Sequence, residues 1–265
     1  MFWLGLTLVL SIGVFSIFAP FITPYSPREI VGGSQNPPSL KHPMGTTKLG
    51  YDVFSKTIYG SRMAFTAGII ASVLALTFGL PLGLVSGYTG GFLDRLMVML
   101  MDALYSFPGL LLAIIITATI GPGVFNAALA VFVVFTPQYF RVVRNHTLSI
   151  KQETFVEASR ALGASTLLIL IRDIFLNVVQ SIPVIFSSNA ASAILVLAGL
   201  SFLGLGITPP TPSLGYELSA AQRYLDNGIW WRALFPGIFM VMIISGFSFL
   251  GEGLNEILNP PADQG

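Results

Sequence analysis

Ionisable side chains of this sequence gather in one segment that long uncharged stretches flank on both sides. Glu153, Glu157 and Arg160 are spaced by four and three residues, which places them on one stripe of a helix. Gly163 then favours a left-handed helix end, and Ser165 is a suitable cap for a following helix. The segment therefore predicts a short amphipathic helix, a sharp corner and a second helix.

The chemistry that suits such a helix is non-covalent attachment, either to lipid headgroups or to a groove in another protein. Helices that lie on lipid carry bulky apolar residues on one face and basic residues on the other. Here the polar stripe mixes Glu with Arg, and Ala158 and Ala161 offer little apolar bulk. The pattern favours docking to a protein, with attachment to lipid as the alternative.

Catalytic and metal-binding arrangements do not occur in the sequence. It has no cysteine, His42 and His146 are far apart, and there is no G-x-x-x-x-G-K-[ST] phosphate-binding loop. We therefore expect a chain that is not an enzyme and that binds no metal or cofactor itself. The net charge of +1 gives no reason to expect a nucleic-acid partner.

The composition is typical of an integral membrane protein surrounded by lipid. Of the 265 residues, 54% are hydrophobic and 9% are charged, whereas about 25% are charged in soluble domains. Apolar runs separated by polar or Pro- and Gly-rich segments predict an all-α fold with six transmembrane helices. We expect a short helix near 52–59 and an amphipathic bend over 94–102 between the spans. The predicted spans are 2–22, 63–88, 105–120, 124–144, 174–205 and 233–251.

The order of the spans predicts three parts of the chain. Residues 1–62 hold the first helix and an external loop, 63–258 a five-helix core with the corner loop at about 148–177, and 259–265 a short tail. The first run is interpreted as a retained span because nothing basic precedes Arg28, with a cleaved signal peptide as the alternative. An even number of spans puts both termini on one side of the membrane. That side holds six Lys and Arg residues and the other side holds seven, so the distribution of positive charge does not orient the chain.

Two features inside the spans concern helix packing or a path for a solute. Gly79, Gly83 and Gly87 share one helix face, which predicts the close approach of another helix. The spans carry no charge at mid-depth, whereas ion-driven carriers usually need charged groups there. Energy for uphill transport would therefore enter through another subunit. The main polar cluster within a span either lines a path or packs helices, and it consists of Ser187, Ser188, Asn189 and Ser192.

Several stretches of the sequence resemble a known protein family and occur in the same order as in that family. EASRALGASTLLILIRDIFLN (157–177) resembles the EAA loop of ABC-importer permease subunits, with Leu176 where the family has proline. HPMGTTKLGYDVFSKTIYGSR (42–62), GYTGGFLDR (87–95) and LSFLGLGITPPTPSLG (200–215) are similar to signatures of the dipeptide/oligopeptide (nickel) permease family. The C-type subunit of that family is the best match.

The resemblance implies a type I ABC-importer permease fold in the plasma (inner) membrane, with a cytoplasmic coupling helix and both termini cytoplasmic. The implied partners are a second homologous permease subunit, two ATPase subunits that carry ATP and Mg²⁺, and an extracytoplasmic substrate-binding protein. The implied solute is a di- or oligopeptide, and relatives that carry oligosaccharides, nickel or glutathione leave those solutes open. A self-sufficient secondary carrier and a membrane scaffold are alternatives from other classes.

The resemblance also assigns roles to residues. Because Leu176 replaces a proline, we expect the second helix of the corner to run unbroken into the fifth span. The cluster in that span is a candidate lining of the path. Docking to the ATPase subunit is assigned to Glu153, Phe155, Glu157, Ala158, Arg160 and Gly163.

Overall fold

The structure is a computed structural model, and it describes residues 1–258 as helices joined by loops. Extended pairing in that range is limited to two isolated bridges, Ile30 with Tyr51 and Thr46 with Asp52. The predicted all-α class is confirmed. The main helices are α1 (Phe2–Ile17), α2 (Val53–Thr89), α3 (Gly91–Tyr105), α4 (Gly109–Ile120), α5 (Val124–Ile150), α6 (Thr154–Ala161), α7 (Thr166–Phe202), α8 (Leu214–Gln222) and α9 (Trp231–Leu258).

Four helices of the described chain, namely α2, α5, α7 and α9, are long and apolar enough to cross a membrane. Helices α3 and α4 reach that length and apolarity only together, as a pair bent by 88°. Helix α1 is apolar but has 16 residues, fewer than the about 20 that usually cross a bilayer core. Length and composition thus give four or five spans within residues 1–258, and the predicted number of six stays a prediction.

Helix α2 begins earlier than its sequence suggests. The Asp52 carboxylate caps it by accepting a hydrogen bond of 2.8 Å from the Ser55 backbone N–H, and the helix then continues for 37 residues. The sequence predicts a separate short helix before the second span, but the structure joins the two. Gly60 lies inside the helix, and its missing side chain lets α2 pack closely against Leu214. The predicted division at residue 62 therefore lies inside α2.

The glycine stripe of α2 lies against α5, as predicted. A Cβ atom on Gly79 would lie 2.7 Å from Tyr139 Cβ, and one on Gly83 would lie 2.7 Å from the Phe140 carbonyl oxygen. Gly87 is equally close to α5. Only glycine permits this approach, and within a membrane such close packing replaces the hydrophobic effect as the source of helix association.

The bend after α2 differs from its prediction. The sequence predicts a short amphipathic bend over 94–102 and a span from 105, but residues 91–105 form the full helix α3 and the break follows at 106–108. Pro108 explains the position, because proline disfavours helical backbone in the residue before it and starts α4 without needing a backbone donor. None of the residues of α3 is buried within this chain.

Helix α7 is helical from Thr166 to Phe202, as expected from the leucine at 176. Leu176 retains the backbone N–H that a proline would lack, so the helical path is not interrupted there. Regular geometry is lost only locally, in a π-helical stretch at Ile169–Phe175 and a 3₁₀ turn at Val179–Ser181. The corner and the fifth predicted span are thus directly connected.

Residues 23–61 and 206–230, which include the start of α2 and helix α8, meet at one end of the bundle, which we call the loop end. Lys56 pairs with Glu217 there, and a Cβ atom on Gly45 would lie 2.6 Å from the Trp231 indole nitrogen. Helices α2 and α9 both begin at this end, and at 37 and 28 residues they reach the opposite end.

The opposite end holds the corner at residues 148–165, and we call it the corner end. Lys151 Nζ donates a hydrogen bond of 2.6 Å to the Tyr88 carbonyl oxygen at the end of α2. The start of α1 lies against the end of α9, where a Cβ atom on Gly253 would overlap the Phe2 backbone. The start of the chain and the end of its described part therefore share this end with the corner, whereas the predicted tail 259–265 lies outside the described residues.

Candidate functional site

Helix α6 ends in a turn that the sequence specifies. Gly163 has a φ of +81°, and its backbone N–H donates to the Arg160 carbonyl oxygen at 3.0 Å. The Ala164 N–H donates to the Ser159 carbonyl oxygen at 3.1 Å, which completes a Schellman motif. A Cβ atom on Gly163 would meet nothing within 4 Å. Glycine is therefore required by backbone conformation and not by lack of space.

The helix after the corner also begins with a cap, as predicted. Ser165 Oγ accepts a hydrogen bond of 3.3 Å from the Leu168 backbone N–H. Hydrogen-bonded backbone thus defines both sides of the corner. This construction makes α6 and the first turn of α7 a stiff angular element.

One side chain of α6 anchors it to the bundle. Val156 is fully buried and packs in an apolar cluster with Val143 of α5 and with Ile169, Ile174 and Val178 of α7. The rest of α6 faces outward, and Phe155 is 44% exposed. All six residues predicted for docking lie on this exposed surface, namely Glu153, Phe155, Glu157, Ala158, Arg160 and Gly163.

Sequence reasoning missed an apolar extension of this surface. Leu162, Leu167 and Ile171 are 88%, 66% and 57% exposed, and they continue outward from α6 into α7. Leucines in a membrane protein normally suggest burial in lipid or core, so their type gave no signal. Like Phe155, they are exposed apolar side chains near the charged residues of the corner, and such side chains are typical of contact with protein or lipid.

The base of α6 is tied to α2 through Tyr88. Lys151 Nζ lies 5.4 Å from the centre of the Tyr88 ring, and the Arg160 guanidinium lies 6.0 Å from it. Both separations are within reach of cation–π attraction. Arg160 therefore contacts the bundle through one face while remaining exposed on the other.

A second link at the corner end joins α2, α3 and α5. Arg144 donates two hydrogen bonds to the Asp94 carboxylate, at 2.6 and 2.7 Å, and Ser86 Oγ also lies on that carboxylate. Paired contacts of this kind fix orientation as well as distance. The end of α2, which contacts the corner, is thereby held to its neighbours.

The polar cluster of α7 is divided between two faces. Ser188 and Ser192 are exposed, and Ser192 Oγ donates to the Ser188 carbonyl oxygen at 3.1 Å. Ser187 is buried and donates to the Pro183 carbonyl oxygen at 2.9 Å, and Asn189 is buried against other helices. The structure therefore does not bring the four predicted lining residues together on one surface.

Asn189 belongs instead to a buried polar group between three helices. It faces Tyr139 of α5 and Ser72 of α2, and all three side chains are more than nine-tenths buried. They lie close enough to interact electrostatically, yet Asn189 Nδ2, Tyr139 Oη and Ser72 Oγ make no hydrogen bond of normal geometry within residues 1–258. The arrangement locates Asn189 in a helix contact.

The loop end holds charged pairs that the sequence did not indicate. His42 Nδ1 lies 2.9 Å from Asp52 Oδ1, both buried, so the histidine supports the cap of α2. Lys56 pairs with Glu217, which is 161 residues away in sequence. Neither pair follows a short-range pattern, and only the fold shows them.

Comparison with known families matches two parts of the chain. Residues 79–263 match the family described as binding-protein-dependent transport system inner membrane component. Residues 1–43 match the N-terminal transmembrane domain of oligopeptide transport permease C. The second match agrees with the resemblance to a C-type subunit.

Curated relatives are similar over nearly the whole chain. The glutathione transport system permease protein GsiD of Shigella flexneri serotype 5b is 41% identical over 254 residues, which cover 95% of this chain and 84% of that protein. The protein of the same name from Escherichia coli O157:H7 is 39% identical over the same coverage.

A solved structure shares the fold. The inward-facing MetNI methionine ABC transporter superposes with a TM-score of 0.63 and 18% identity, over 77% of this chain and 96% of that one. A second crystal form gives a TM-score of 0.61. The type I importer permease fold expected from the sequence is therefore confirmed.

Proposed function

The chain belongs to the family of binding-protein-dependent transport system inner membrane components, and on that basis we propose that it forms half of an import path for short peptides. As an ABC-importer permease subunit, it depends on ATPase and substrate-binding partners. The proposal adds the solute class, the docking site and the orientation.

Support for a peptide solute comes from the relatives. The N-terminal match is to an oligopeptide permease, and the proteins with about two fifths identical residues are named for glutathione, which is a tripeptide. The described spans carry no ionisable side chain at mid-depth that would bind a small ion. A short peptide delivered by a separate binding protein agrees with both observations.

The observation that carries the docking proposal is the construction of α6. It is a helix of eight residues with one buried side chain, an exposed mixed surface and a stiff corner at its end. Val156 and the contacts with Tyr88 hold α6 to this chain. The remaining surface of α6 is exposed in an isolated subunit and is available for contact with another protein. In the proposed complex, the ATPase subunit covers this surface, and ATP and Mg²⁺ bind to the ATPase and not to this chain.

The corner gives the proposed coupling a mechanical path. Closure of the ATPase pair would displace α6, and the capped corner passes the displacement directly into α7. Rigid-body switching of this kind requires connectors that do not bend. Ser188 and Ser192, on the exposed face of α7, are the members of the polar cluster that we assign to the lining of the path.

The same reasoning orients the chain. An ATPase that reaches α6 must lie on the cytoplasmic side, so the corner end, which holds both the start of the chain and the end of its described part, is cytoplasmic. The loop end then faces the extracytoplasmic binding protein. We propose a complex with one further permease subunit and two ATPase subunits, because each permease offers one docking helix.

The test is copurification of the ATPase subunits with the permease pair after reversal of one charge. Glu157→Lys should weaken ATPase association by about tenfold or more, because it reverses the charge of a side chain that the ATPase subunit would cover. Asp226→Lys makes the same change on an exposed residue of the loop end and serves as the control. Normal ATPase recovery with Glu157→Lys would refute the docking assignment, and uptake that needs no ATPase would refute the proposed function.

A further inference from the structure

A cavity of about 450 Å³ opens at the loop end, far from α6. It lies between the segment that leads into α2, helix α8 and the first turn of α9. Neither the family signatures nor the corner assign a role to it. The charged and aromatic residues that matter in its lining are Lys48, Lys56, Glu217, Arg223, Tyr224 and Arg232.

The lining has an excess of positive charge. Four of the named residues are cationic, and Glu217 is the one carboxylate in the lining. Glu217 is 6% exposed and pairs with Lys56, so the negative charge is already neutralised by one of the cations. Glu217 also attracts Arg232, but four cations against one carboxylate leave the lining with a net positive charge.

Arg232 is the unusual member of this group. The side chain is 5% exposed, and its guanidinium lies 4.8 Å from the centre of the Tyr224 ring. The guanidinium also interacts with the Tyr224 side chain as a hydrogen-bond donor and is attracted to Glu217. Its Nε and Nη1 are buried and donate no hydrogen bond to any atom of residues 1–258, so the charge is only partly compensated within the described chain.

The geometry points to a binding site for the carboxylate of a small molecule, and we propose that Arg232 is its anchor. A guanidinium gives a carboxylate oxygen a charge-assisted hydrogen bond, which is stronger than one between neutral groups. Lys48 and Arg223 are exposed and lie at the rim, where they attract an anion towards Arg232.

The volume argues for a small molecule and against a single acidic side chain of a partner. Pockets for small ligands measure about 300–1,000 Å³, and this cavity lies within that range. Tyr51, Tyr216 and Tyr224 provide partly apolar walls suited to the rest of the ligand. The choice of a peptide as that ligand rests on the proposed function. Its free C-terminal carboxylate would then bind at the extracytoplasmic mouth before entering the path.

The test measures binding to the purified permease complex in lipid nanodiscs, without ATP and without the binding protein. Isothermal titration calorimetry compares the dipeptide Ala-Ala with its C-terminal amide and with inorganic phosphate. Ala-Ala should bind, and the amide should bind at least about tenfold more weakly because it lacks the anionic group. Equal affinity for the amide, or stronger binding of phosphate than of Ala-Ala, would overturn the carboxylate assignment.

Variants of the lining separate a binding role from a folding role. Arg232→Gln should weaken Ala-Ala binding by about tenfold or more. Arg223→Gln changes an exposed rim residue, and it should weaken binding by a smaller factor. Lys41→Gln removes the same charge from an exposed loop position outside the cavity and should leave the affinity unchanged.

Glu217→Gln provides a test of opposite sign. It removes the negative charge from the lining and frees Lys56, so Ala-Ala should bind more tightly than to the unmodified protein. Weaker binding in this variant, or unchanged binding in both arginine variants, would overturn the site. A complex that imports peptides normally but binds no Ala-Ala would refute this site and leave the proposed function intact, whereas binding without import would count against the proposed function.

Discussion

Gly163 offers the sharpest test of how the corner works. Its φ of +81° lies in the left-handed region, and no atom lies within 4 Å of where a Cβ would stand. A substitution therefore changes only the backbone preference and creates no steric clash. Stability at the corner should fall in the order of left-handed propensity, with Gly best, then Asn, then Ala, and Val last.

The size of the effect follows from the same geometry. Left-handed backbone is unfavourable by about 1–2 kcal/mol for residues other than glycine, and less for asparagine. A free energy of about 1.4 kcal/mol corresponds to a tenfold change in the population of the intact corner. Since the Schellman hydrogen bonds close only in this conformation, Gly163→Ala should leave the corner frayed in a substantial fraction of molecules.

The assay is the number of solute molecules imported per ATP hydrolysed in proteoliposomes that contain the complete complex. This ratio should decrease from Asn to Ala to Val, while the ATPase still hydrolyses ATP. Gly228 is the matched control, because its φ is +76° and it too has no neighbour within 4 Å, but it lies at the loop end. Gly228→Ala should leave the ratio unchanged. If Asn and Val at position 163 gave the same ratio, the backbone argument would be wrong.

Other contacts make three further predictions. Gly83→Ala should destabilise the bundle by about 1–3 kcal/mol through overpacking against α5, seen as a lower unfolding temperature, whereas Gly237→Ala, with its nearest neighbour at 3.8 Å, should not. Val156→Ala should reduce the free energy that holds α6 on the bundle by about 2 kcal/mol, and amide hydrogen exchange in α6 should become faster. Unchanged exchange would show that Val156 is not the anchor of α6. Asn189→Leu should preserve thermal stability, because it removes a buried amide that makes no hydrogen bond of normal geometry. Ser192→Leu, on the exposed face of α7, should lower uptake. Lower uptake with Asn189→Leu and normal uptake with Ser192→Leu would move the path to the other face of α7.

Local patterns predicted the parts of the fold that depend on local chemistry. The corner followed from Gly163 and Ser165, because a left-handed end and a cap each need a specific residue type. The close approach of α2 and α5 followed from a glycine every fourth residue. The exposure of the six residues predicted for docking agrees with the polar stripe of a short helix.

Other features depended on contacts between distant residues. The close packing of α2 at Gly60 depends on Leu214, far along the chain, and no local pattern predicts it. The division of Ser187, Ser188, Asn189 and Ser192 between two faces was recoverable in principle, because residues 188 and 192 share a face at four-residue spacing. Ser187 and Asn189 lie on other faces of the same helix.

The cavity at the loop end can explain why basic residues are distributed evenly between the two ends. Seven Lys and Arg residues lie on the loop side and six on the corner side, which is not the bias expected of a membrane protein. Four of the seven, Lys48, Lys56, Arg223 and Arg232, line the cavity at the loop end. If they are retained to bind a carboxylate, they should not be counted among the residues that set topology. Three cations would then remain on the loop side against six on the corner side, and this bias agrees with the cytoplasmic corner that we propose.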